Sequence, residues 1–162
     1  MPHLARLAEP LNVVLVKPLI PGNTGNIARM CAVTGSRLHL VGPLGFSIAD
    51  RDLKRAGLDY WDKVFVGLAP TFDELVAEHR VVPARLHLFT ASASDTHFQR
   101  RFAPGDWLVF GQEDSGLAPE LLARWPDRRV SVPQVDGTRS LNLSTCAGIA
   151  VYEALRQIAF SG

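Results

Sequence analysis

Short apolar runs alternate with helix-like segments along this chain, and this alternation is what most constrains its fold. Runs such as NVVLV and RLHLV are separated by stretches with helical spacing and by Gly/Pro turns. Strands that are almost continuously apolar are typical of parallel sheets in which both faces are buried. The pattern therefore predicts the α/β class, with a mostly parallel sheet and helices on both faces.

The bounds of each element follow from the Gly, Pro and capping residues around these runs. The predicted strands are residues 12–17, 37–42, 64–66, 85–90, 107–111 and 129–132. The predicted helices are residues 24–34, 50–58, 71–79, 119–124 and 142–159. Asp50 would cap the second helix and Gly57 would end it. Because the chain has 162 residues and no internal repeat or linker, we predict one domain spanning residues 1–162.

Composition and motifs exclude several classes of protein. No apolar run reaches the roughly 18 residues that span a bilayer, and the first ten residues do not resemble a secretory signal, so we expect a cytoplasmic protein. A net charge of +1 is not the strongly basic balance of a histone-like protein. The chain has no G-x-G-x-x-G motif, no P-loop and no His/Cys cluster with zinc spacing, and we expect no bound metal.

The cysteines and two of the histidines are expected to be packing residues. Cys31 and Cys146 lie far apart in apolar segments, which is typical of buried free thiols in a reducing compartment. His39 and His87 lie within predicted strands, where they would be packed or at a sheet edge.

Three polar segments stand at predicted strand ends, and the first of them is NTGNIAR. It opens the first helix, whose N-terminal N–H groups would form an anion site. Asn23 could cap this helix, Gly25 would allow close backbone approach, and Arg29 lies about one turn further along. The alternative is an ordinary Asn cap followed by an exposed arginine.

The second segment, FGQEDSGL, brings Gly111, an acidic pair and Gly116 to the end of the fifth strand. Ligands of open α/β sheets bind beyond such carboxyl ends, and glycine lets a flat ligand lie against the backbone. An ordinary βα loop with Gly and Asp would have the same composition. The segment therefore indicates a binding loop without identifying its ligand.

The third segment is a polar loop followed by the longest helix. The loop contains Asp136, Arg139, Ser140 and Asn142. Gly148 lies within the helix, where glycine costs about 1 kcal/mol relative to alanine. Together with the small residues around it, it indicates close packing, either in the core or in a dimer interface.

The stretches IPGNTGNIARMCAVTG, RAGLDYW, FGQEDSGL and TRSLNLS together resemble the motifs of the SPOUT (trefoil-knot) RNA methyltransferases. Within that family the chain is most similar to the small enzymes that methylate the 2′-hydroxyl of cytidine or uridine 34 in tRNA. The likeness covers residues 11–160, and residues 1–10 are an N-terminal extension of unknown role. It implies a deep C-terminal trefoil knot, S-adenosyl-L-methionine as cofactor with S-adenosyl-L-homocysteine as product, and no metal. It also implies a homodimer that acts on the tRNA anticodon stem-loop and binds no membrane.

The resemblance also implies which residues form the site. The cofactor-binding positions would be Phe89, Thr90, Gly111, Val132, Ser140, Leu141 and Asn142. The catalytic positions would be Asn23, Arg29, Glu113 and Tyr152. Because a guanidinium is a poor base, Arg29 would bind the 2′-oxygen or its phosphate and stabilise negative charge, although a role as base stays open.

The other catalytic positions would support this arginine. Asn23 would position Arg29 or the ribose, and Glu113 would orient Arg29. Tyr152 would reach the target nucleotide or the partner subunit, and the small residues at 147–154 would suit close contact between two subunits.

Arginine dominates the cations, and some of them are candidates for RNA binding. Of the 17 basic residues fourteen are arginine, which suits bidentate phosphate contacts, although a GC-rich genome would give the same bias. Arg51, Lys54 and Arg55 would share one helix face as a phosphate-binding stripe, and the alternative is a solvated helix surface. A second candidate patch comprises Arg128, Arg129 and Arg139.

Three other functions stay open. The chain could methylate a 2′-hydroxyl at another tRNA or rRNA site, or it could be a non-catalytic cofactor- and RNA-binding module of the same fold. A flavodoxin-like nucleotide or flavin binder would share the same pattern of strands and helices.

Overall fold

The computed structural model describes residues 3–49 and 51–160, which contain six strands, five α-helices and two short 3-10 helices at Pro83–Arg85 and Pro126–Arg128. Within these ranges the side chains of Asp52, Lys54 and residues 56–59 are not described. The strands are β1 (Asn12–Val16), β2 (Arg37–Val41), β3 (Phe65–Ala69), β4 (Leu86–Phe89), β5 (Trp107–Phe110) and β6 (Arg129–Val130). The helices are α1 (Pro21–Thr34), α2 (Arg51–Val64), α3 (Phe72–Glu78), α4 (Pro119–Arg124) and α5 (Leu143–Ala159).

The strands form one sheet in the order β3-β2-β1-β5-β4-β6, and every pair in it is parallel. This confirms the predicted parallel sheet. Since all strands run the same way, their carboxyl ends meet at one edge, where α/β proteins bind ligands. The three polar segments singled out in the sequence therefore lie along the same edge of the sheet.

Both faces of the sheet are covered by helices, because successive side chains of a strand point to opposite faces. On β1, Val13 and Leu15 belong to one apolar cluster, whereas Val14 belongs to the other. Side chains of α1 and α5 pack in the first cluster, and side chains of α3 and α4 pack in the second. All three of these β1 side chains are fully buried, as the apolar run predicts.

The small-residue face of α5 packs inside the subunit. Ala147, Ala150 and Ala154 are completely buried in the cluster that α1 also joins. The prediction that the small residues of 147–154 form a surface for a second subunit is therefore wrong for these alanines. A Cβ added at Gly148 would meet nothing within 4 Å, and Tyr152 is half-exposed, so another side of α5 remains open.

Two helix bounds differ from the sequence prediction by more than one residue. Helix α1 begins at Pro21 rather than Thr24, with Ile20 as its N-cap, so the prediction that Asn23 caps it is wrong. Proline is favoured in the first turn because its missing N–H has no partner there. Helix α2 continues through Gly57 to Val64, because packing of its apolar side against the core outweighs the low helix propensity of glycine. Asp50, its predicted cap, lies outside the described residues.

At the start of α3 the hydroxyl of Thr71 accepts a hydrogen bond from the Glu74 N–H and so caps the helix. The predicted free thiols are confirmed. Cys31 is a buried free thiol, and Cys146 is free and partly buried. No helix within the described ranges is both long enough and apolar enough to cross a membrane.

Two buried histidines stabilise the sheet near the amino ends of its strands. His39 Nε2 lies 2.9 Å from Asn12 Oδ1, and burial, with His79 and Arg37 nearby, lowers its pKa to about 3. His87 Nε2 lies 2.7 Å from Asp106 Oδ2. These contacts lie away from the carboxyl edge, so they confirm a packing role.

Candidate active site

A cavity of about 440 Å³ opens beyond the carboxyl ends of β4 and β5. We call it the first cavity. It is lined by residues 89–92 and 110–117, by Pro119 and Leu122 of α4, by the start of α5, and by four residues of the loop before α5: Val132, Gln134, Ser140 and Leu141. Its predicted lining residues Phe89, Thr90, Gly111, Val132, Ser140 and Leu141 are all present. The rings of Phe89 and Phe110 stack with their centroids 4.7 Å apart at the strand ends. Six of the seven predicted pocket positions therefore share one cavity.

Gly111 is required by the chain's own backbone. A Cβ at this position would lie 2.1 Å from the carbonyl carbon of Gly116 and 2.2 Å from the N atom of Leu117. The loop folds back because Gln112 and Gly116 exchange backbone hydrogen bonds of 3.2 and 3.0 Å. The predicted close approach at Gly111 is therefore a contact within the loop itself. Glycine at this position lets the loop close against the end of β5.

Glu113 binds the segment that leads into α1. Its carboxylate accepts hydrogen bonds from the N–H groups of Leu19 at 2.7 Å and Ile20 at 2.9 Å, and from Asn23 Nδ2 at 3.4 Å. The prediction that Glu113 orients Arg29 is therefore wrong. Within the described part of the chain Arg29 forms no ion pair, and its side chain is exposed on α1.

The same network continues from Asn23 to the last helix. Asn23 Oδ1 accepts a hydrogen bond from Asn142 Nδ2 at 3.0 Å. Asn142 Oδ1 in turn accepts from the N–H groups of Ser144 and Thr145, so Asn142 caps α5. Because its side chain serves this cap, Asn142 does not line the first cavity with the other predicted positions. Glu113, Asn23 and Asn142 thus join the three polar segments.

Gln134 is a positioning residue that the sequence did not reveal. Its Nε2 donates to the Arg139 carbonyl at 2.8 Å, and its Oε1 accepts from the Leu141 N–H at 3.2 Å. These bonds close the loop that brings Ser140 and Leu141 to the first cavity. No local pattern predicts this role, because it depends on how the loop folds back on itself.

Cys146 lines the first cavity as a neutral group. Burial raises its pKa to about 11, so the thiol is protonated at neutral pH and is not a reactive nucleophile. Within the described ranges no group of three or more His, Cys, Asp or Glu side chains could hold a metal ion. The polar side chains that line the cavity are hydroxyls and amides, together with the carboxylates of Glu113 and Asp114.

The arginines predicted to bind phosphate fall into two groups. Arg51 and Arg55 are exposed on α2, and the side chain of Lys54 lies outside the described residues. Arg139 is also exposed. Arg128 and Arg129 instead donate to the carbonyl oxygens of residues 84 and 122, each at 3.1 Å. Two of the three members of the second patch are thus half-buried and stabilise nearby backbone, and the patch stays a prediction.

Replacing Glu113 with glutamine is expected to lower the free energy of unfolding by about 1–3 kcal/mol. Glutamine keeps one acceptor oxygen, and its NH2 group would face the N–H of Leu19 or Ile20, leaving a donor unpaired. Denaturant unfolding measures the change. Asp114→Asn is the matched control, because Asp114 is the exposed neighbour on the same loop. Equal stability of the two variants would contradict a role for Glu113 in holding α1.

The fold and the site together define a parallel α/β protein with a small-molecule cavity at its carboxyl edge. Residues 10–152 match the SpoU rRNA Methylase family, and the chain belongs to that family. The resemblance to SPOUT methyltransferases drawn from the sequence motifs is thereby confirmed.

Relatives with known names cover nearly the whole chain. A tRNA (cytidine(34)-2′-O)-methyltransferase of Burkholderia pseudomallei is 49% identical over 152 residues, covering 93% of this chain and 97% of the relative. A solved structure concerned with the 2-OH methylation of C/U34 on tRNA is 42% identical with a TM-score of 0.84, covering 92% of this chain and 96% of that one. The SpoU methyltransferase AviRb of Streptomyces viridochromogenes, solved with the cofactor AdoMet, is 25% identical with a TM-score of 0.80, covering 96% of this chain and 60% of that one.

Proposed function

We propose that this protein transfers the methyl group of S-adenosyl-L-methionine to the ribose 2′-hydroxyl of cytidine or uridine 34 in tRNA. The observation that carries this proposal is the 49% identity, over 93% of the chain, to a tRNA (cytidine(34)-2′-O)-methyltransferase. The joined network of Glu113, Asn23 and Asn142 supports it, because it holds the three segments of the site together.

The residues of the first cavity fit the cofactor. Its volume of about 440 Å³ lies within the range of small-molecule sites, roughly 300–1,000 Å³. Val132 and Leu141 offer apolar contact to an adenine ring, and Thr90 and Ser140 offer hydroxyl groups. When bound there, the cofactor supplies an electrophilic methyl group on a positively charged sulfur.

The chain's own residues would align the acceptor and stabilise its charge. The ribose 2′-hydroxyl would give its proton to solvent water, or to residue 29 if that residue acted as base, as its oxygen accepted the methyl group and S-adenosyl-L-homocysteine was left as product. Arg29 would bind the 2′-oxygen or the neighbouring phosphate and stabilise the negative charge that develops. Asn23 and Glu113 would keep the start of α1 in place, and Tyr152 would contact the nucleotide or a second subunit.

Further parts of this proposal concern assembly and RNA. The exposed cations Arg51, Arg55 and Arg139 would contact phosphates, so RNA affinity should fall steeply as salt rises. We further propose a cytoplasmic homodimer with a knotted C-terminal region. Ile149 and Tyr152 are both exposed on α5 and would form part of its interface. Sedimentation at micromolar protein concentration tests this assembly.

The proposed activity is tested with purified protein, labelled S-adenosyl-L-methionine and unmodified tRNA. Nucleoside mass spectrometry is expected to find 2′-O-methylcytidine or 2′-O-methyluridine at position 34. Transcripts with a 2′-deoxyribose at position 34 are the matched control, because they lack only the acceptor oxygen. Label at another position, or in rRNA, would replace the proposed substrate with another RNA. The absence of transfer to any RNA would contradict the enzymatic role.

A further inference from the structure

A second cavity, of about 600 Å³, opens at the same edge of the sheet. It lies beyond the carboxyl ends of β1 and β2 and is bounded by the starts of α3 and α4. Gln112, Ser115, Gly116, Leu117 and Pro119 line both cavities. The loop that follows β5 is therefore a wall with the first cavity on one side and the second on the other.

We propose that the second cavity receives the base of the nucleotide whose ribose is methylated. This inference rests on the proposed function, which places the methyl donor in the first cavity. A ribose and its base are joined by one glycosidic bond, so they must occupy neighbouring sites, and the shared loop makes these two cavities neighbours. A third cavity, of about 330 Å³ between α1 and α2, shares no lining residue with the first one.

The walls of the second cavity suit the flat faces of a nucleobase. Val16, Val41, Pro43, Phe72 and Leu121 give it a largely apolar lining. Proteins that read single-stranded RNA bury unstacked bases against such surfaces and hydrogen-bond their edges. The proposed target nucleotide lies in a loop of the RNA, where its base can separate from the neighbouring stacked bases.

Lys17 places a positive charge at this cavity in an unusual backbone conformation. Its φ of 54° lies in the left-handed region, which a non-glycine residue rarely adopts. The conformation is held by a hydrogen bond of 2.7 Å from its N–H to the Val41 carbonyl. Such strained positions concentrate at ligand sites. Lys17 is exposed and forms no ion pair with a described residue, so its ammonium group can meet a phosphate.

The carboxylates of the second cavity do not cancel this charge. Asp73 forms an ion pair with Arg124 across the cavity wall. Glu120 is the remaining acidic residue of the lining, and it lies in the first turn of α4, where the helix dipole favours a negative charge. A phosphate at Lys17 is therefore compatible with the charges around the cavity.

Gln112 supplies a polar group that suits both pyrimidines. Its Oε1 accepts a hydrogen bond of 2.7 Å from the Ser115 hydroxyl. Its Nε2 has no acceptor among the described residues, so it can donate to a ligand. Cytosine and uracil share the O2 carbonyl and differ at N3 and C4. A donor aimed at O2 would accept both bases, which is the substrate range proposed above.

The test combines a protein variant that fills the second cavity with an RNA that lacks the base. Each protein is measured on each RNA. Ala118 lines only the second cavity and is exposed with an extended backbone, so Ala118→Phe would fill space without disturbing a helix interior. Ala84→Phe is the matched control, since Ala84 is exposed at the opposite end of the sheet. The RNA is an anticodon stem-loop, used intact and with an abasic ribose at position 34 that keeps its 2′-hydroxyl.

For the wild-type protein, removal of base 34 is expected to lower kcat/KM at least about tenfold. Ala118→Phe is expected to lower kcat/KM by a similar factor on intact RNA and to have little effect on the abasic RNA, because both changes remove the same contact. The Kd of the cofactor should be unchanged in both variants. Lys17→Gln, which removes the charge alone, should weaken binding of both RNAs by a similar factor.

Two kinetic results would overturn the inference: equal activity of the wild-type protein on intact and abasic RNA, or equal loss on both RNAs in Ala118→Phe. If no methyl transfer occurs, the same comparison is made with the dissociation constants of the two RNAs, measured without methyl donor. These constants also show whether the second cavity binds the base. Failure of the base pocket and failure of the proposed activity are therefore distinguishable. A protein that binds neither RNA would overturn the inference as well.

Discussion

Replacing Gly111 with alanine is expected to destabilise the protein by about 1–3 kcal/mol or more and to abolish cofactor binding. The new Cβ would lie 2.1 Å from the carbonyl carbon of Gly116 and 2.2 Å from the N atom of Leu117. Both are backbone atoms, so no rotamer change relieves the overlap and the loop itself must move. Because this loop is a wall of both cavities, its displacement would change each of them. Denaturant unfolding and calorimetric titration with S-adenosyl-L-methionine measure the two effects.

Gly67→Ala is the matched control for this substitution. A Cβ at Gly67 would meet nothing within 4 Å, and the residue lies inside β3. Glycine weakens a strand by roughly 0.5–1 kcal/mol relative to alanine, so this variant should be as stable as the wild type or slightly more stable. If Gly111→Ala bound the cofactor as the wild type does, the closed form of the loop would not be needed for the cavity.

Local sequence patterns predicted those parts of the fold that local forces determine. The apolar runs gave the parallel sheet, since a strand buried on both faces needs apolar residues throughout. Helix α4 matched its predicted bounds, because Pro119 marks its first turn. The start of α1 was missed because the Pro-Gly-Asn segment resembles a turn, whereas the structure uses its proline at the first helical position.

Contacts between distant segments could not be predicted in this way. The carboxylate of Glu113 serves the N–H groups of Leu19 and Ile20, which are more than ninety residues away in the chain. The resemblance named Glu113 as a site residue, but only the fold shows that it binds the entrance of α1 rather than Arg29. The buried alanines of α5 show the same limit. Small residues indicate close packing, but they do not indicate whether the packing is inside the subunit or between subunits.

Replacing Arg29 with lysine is expected to lower kcat by about 10²–10³-fold, with little change in the Kd of the cofactor. Arg29 is exposed on α1 and forms no ion pair in the described part of the chain, so its guanidinium is available to an incoming RNA. Lysine keeps the positive charge but loses the planar pair of donors that binds two oxygens at once. Single-turnover methyl transfer and calorimetry separate the loss in chemistry from any loss in cofactor binding.

The pH dependence of the lysine variant distinguishes the two roles that Arg29 could have. An ammonium group loses its proton more readily than a guanidinium does, so lysine would be the more easily deprotonated base. If residue 29 removed the proton from the 2′-hydroxyl, Arg29→Lys would gain activity as the pH approaches 10 and would surpass the wild type. A charge stabiliser predicts a constant deficit across the same range, because the second donor of the guanidinium is missing from lysine at every pH. Arg101→Lys, at an exposed position outside the site, should retain wild-type turnover at every pH.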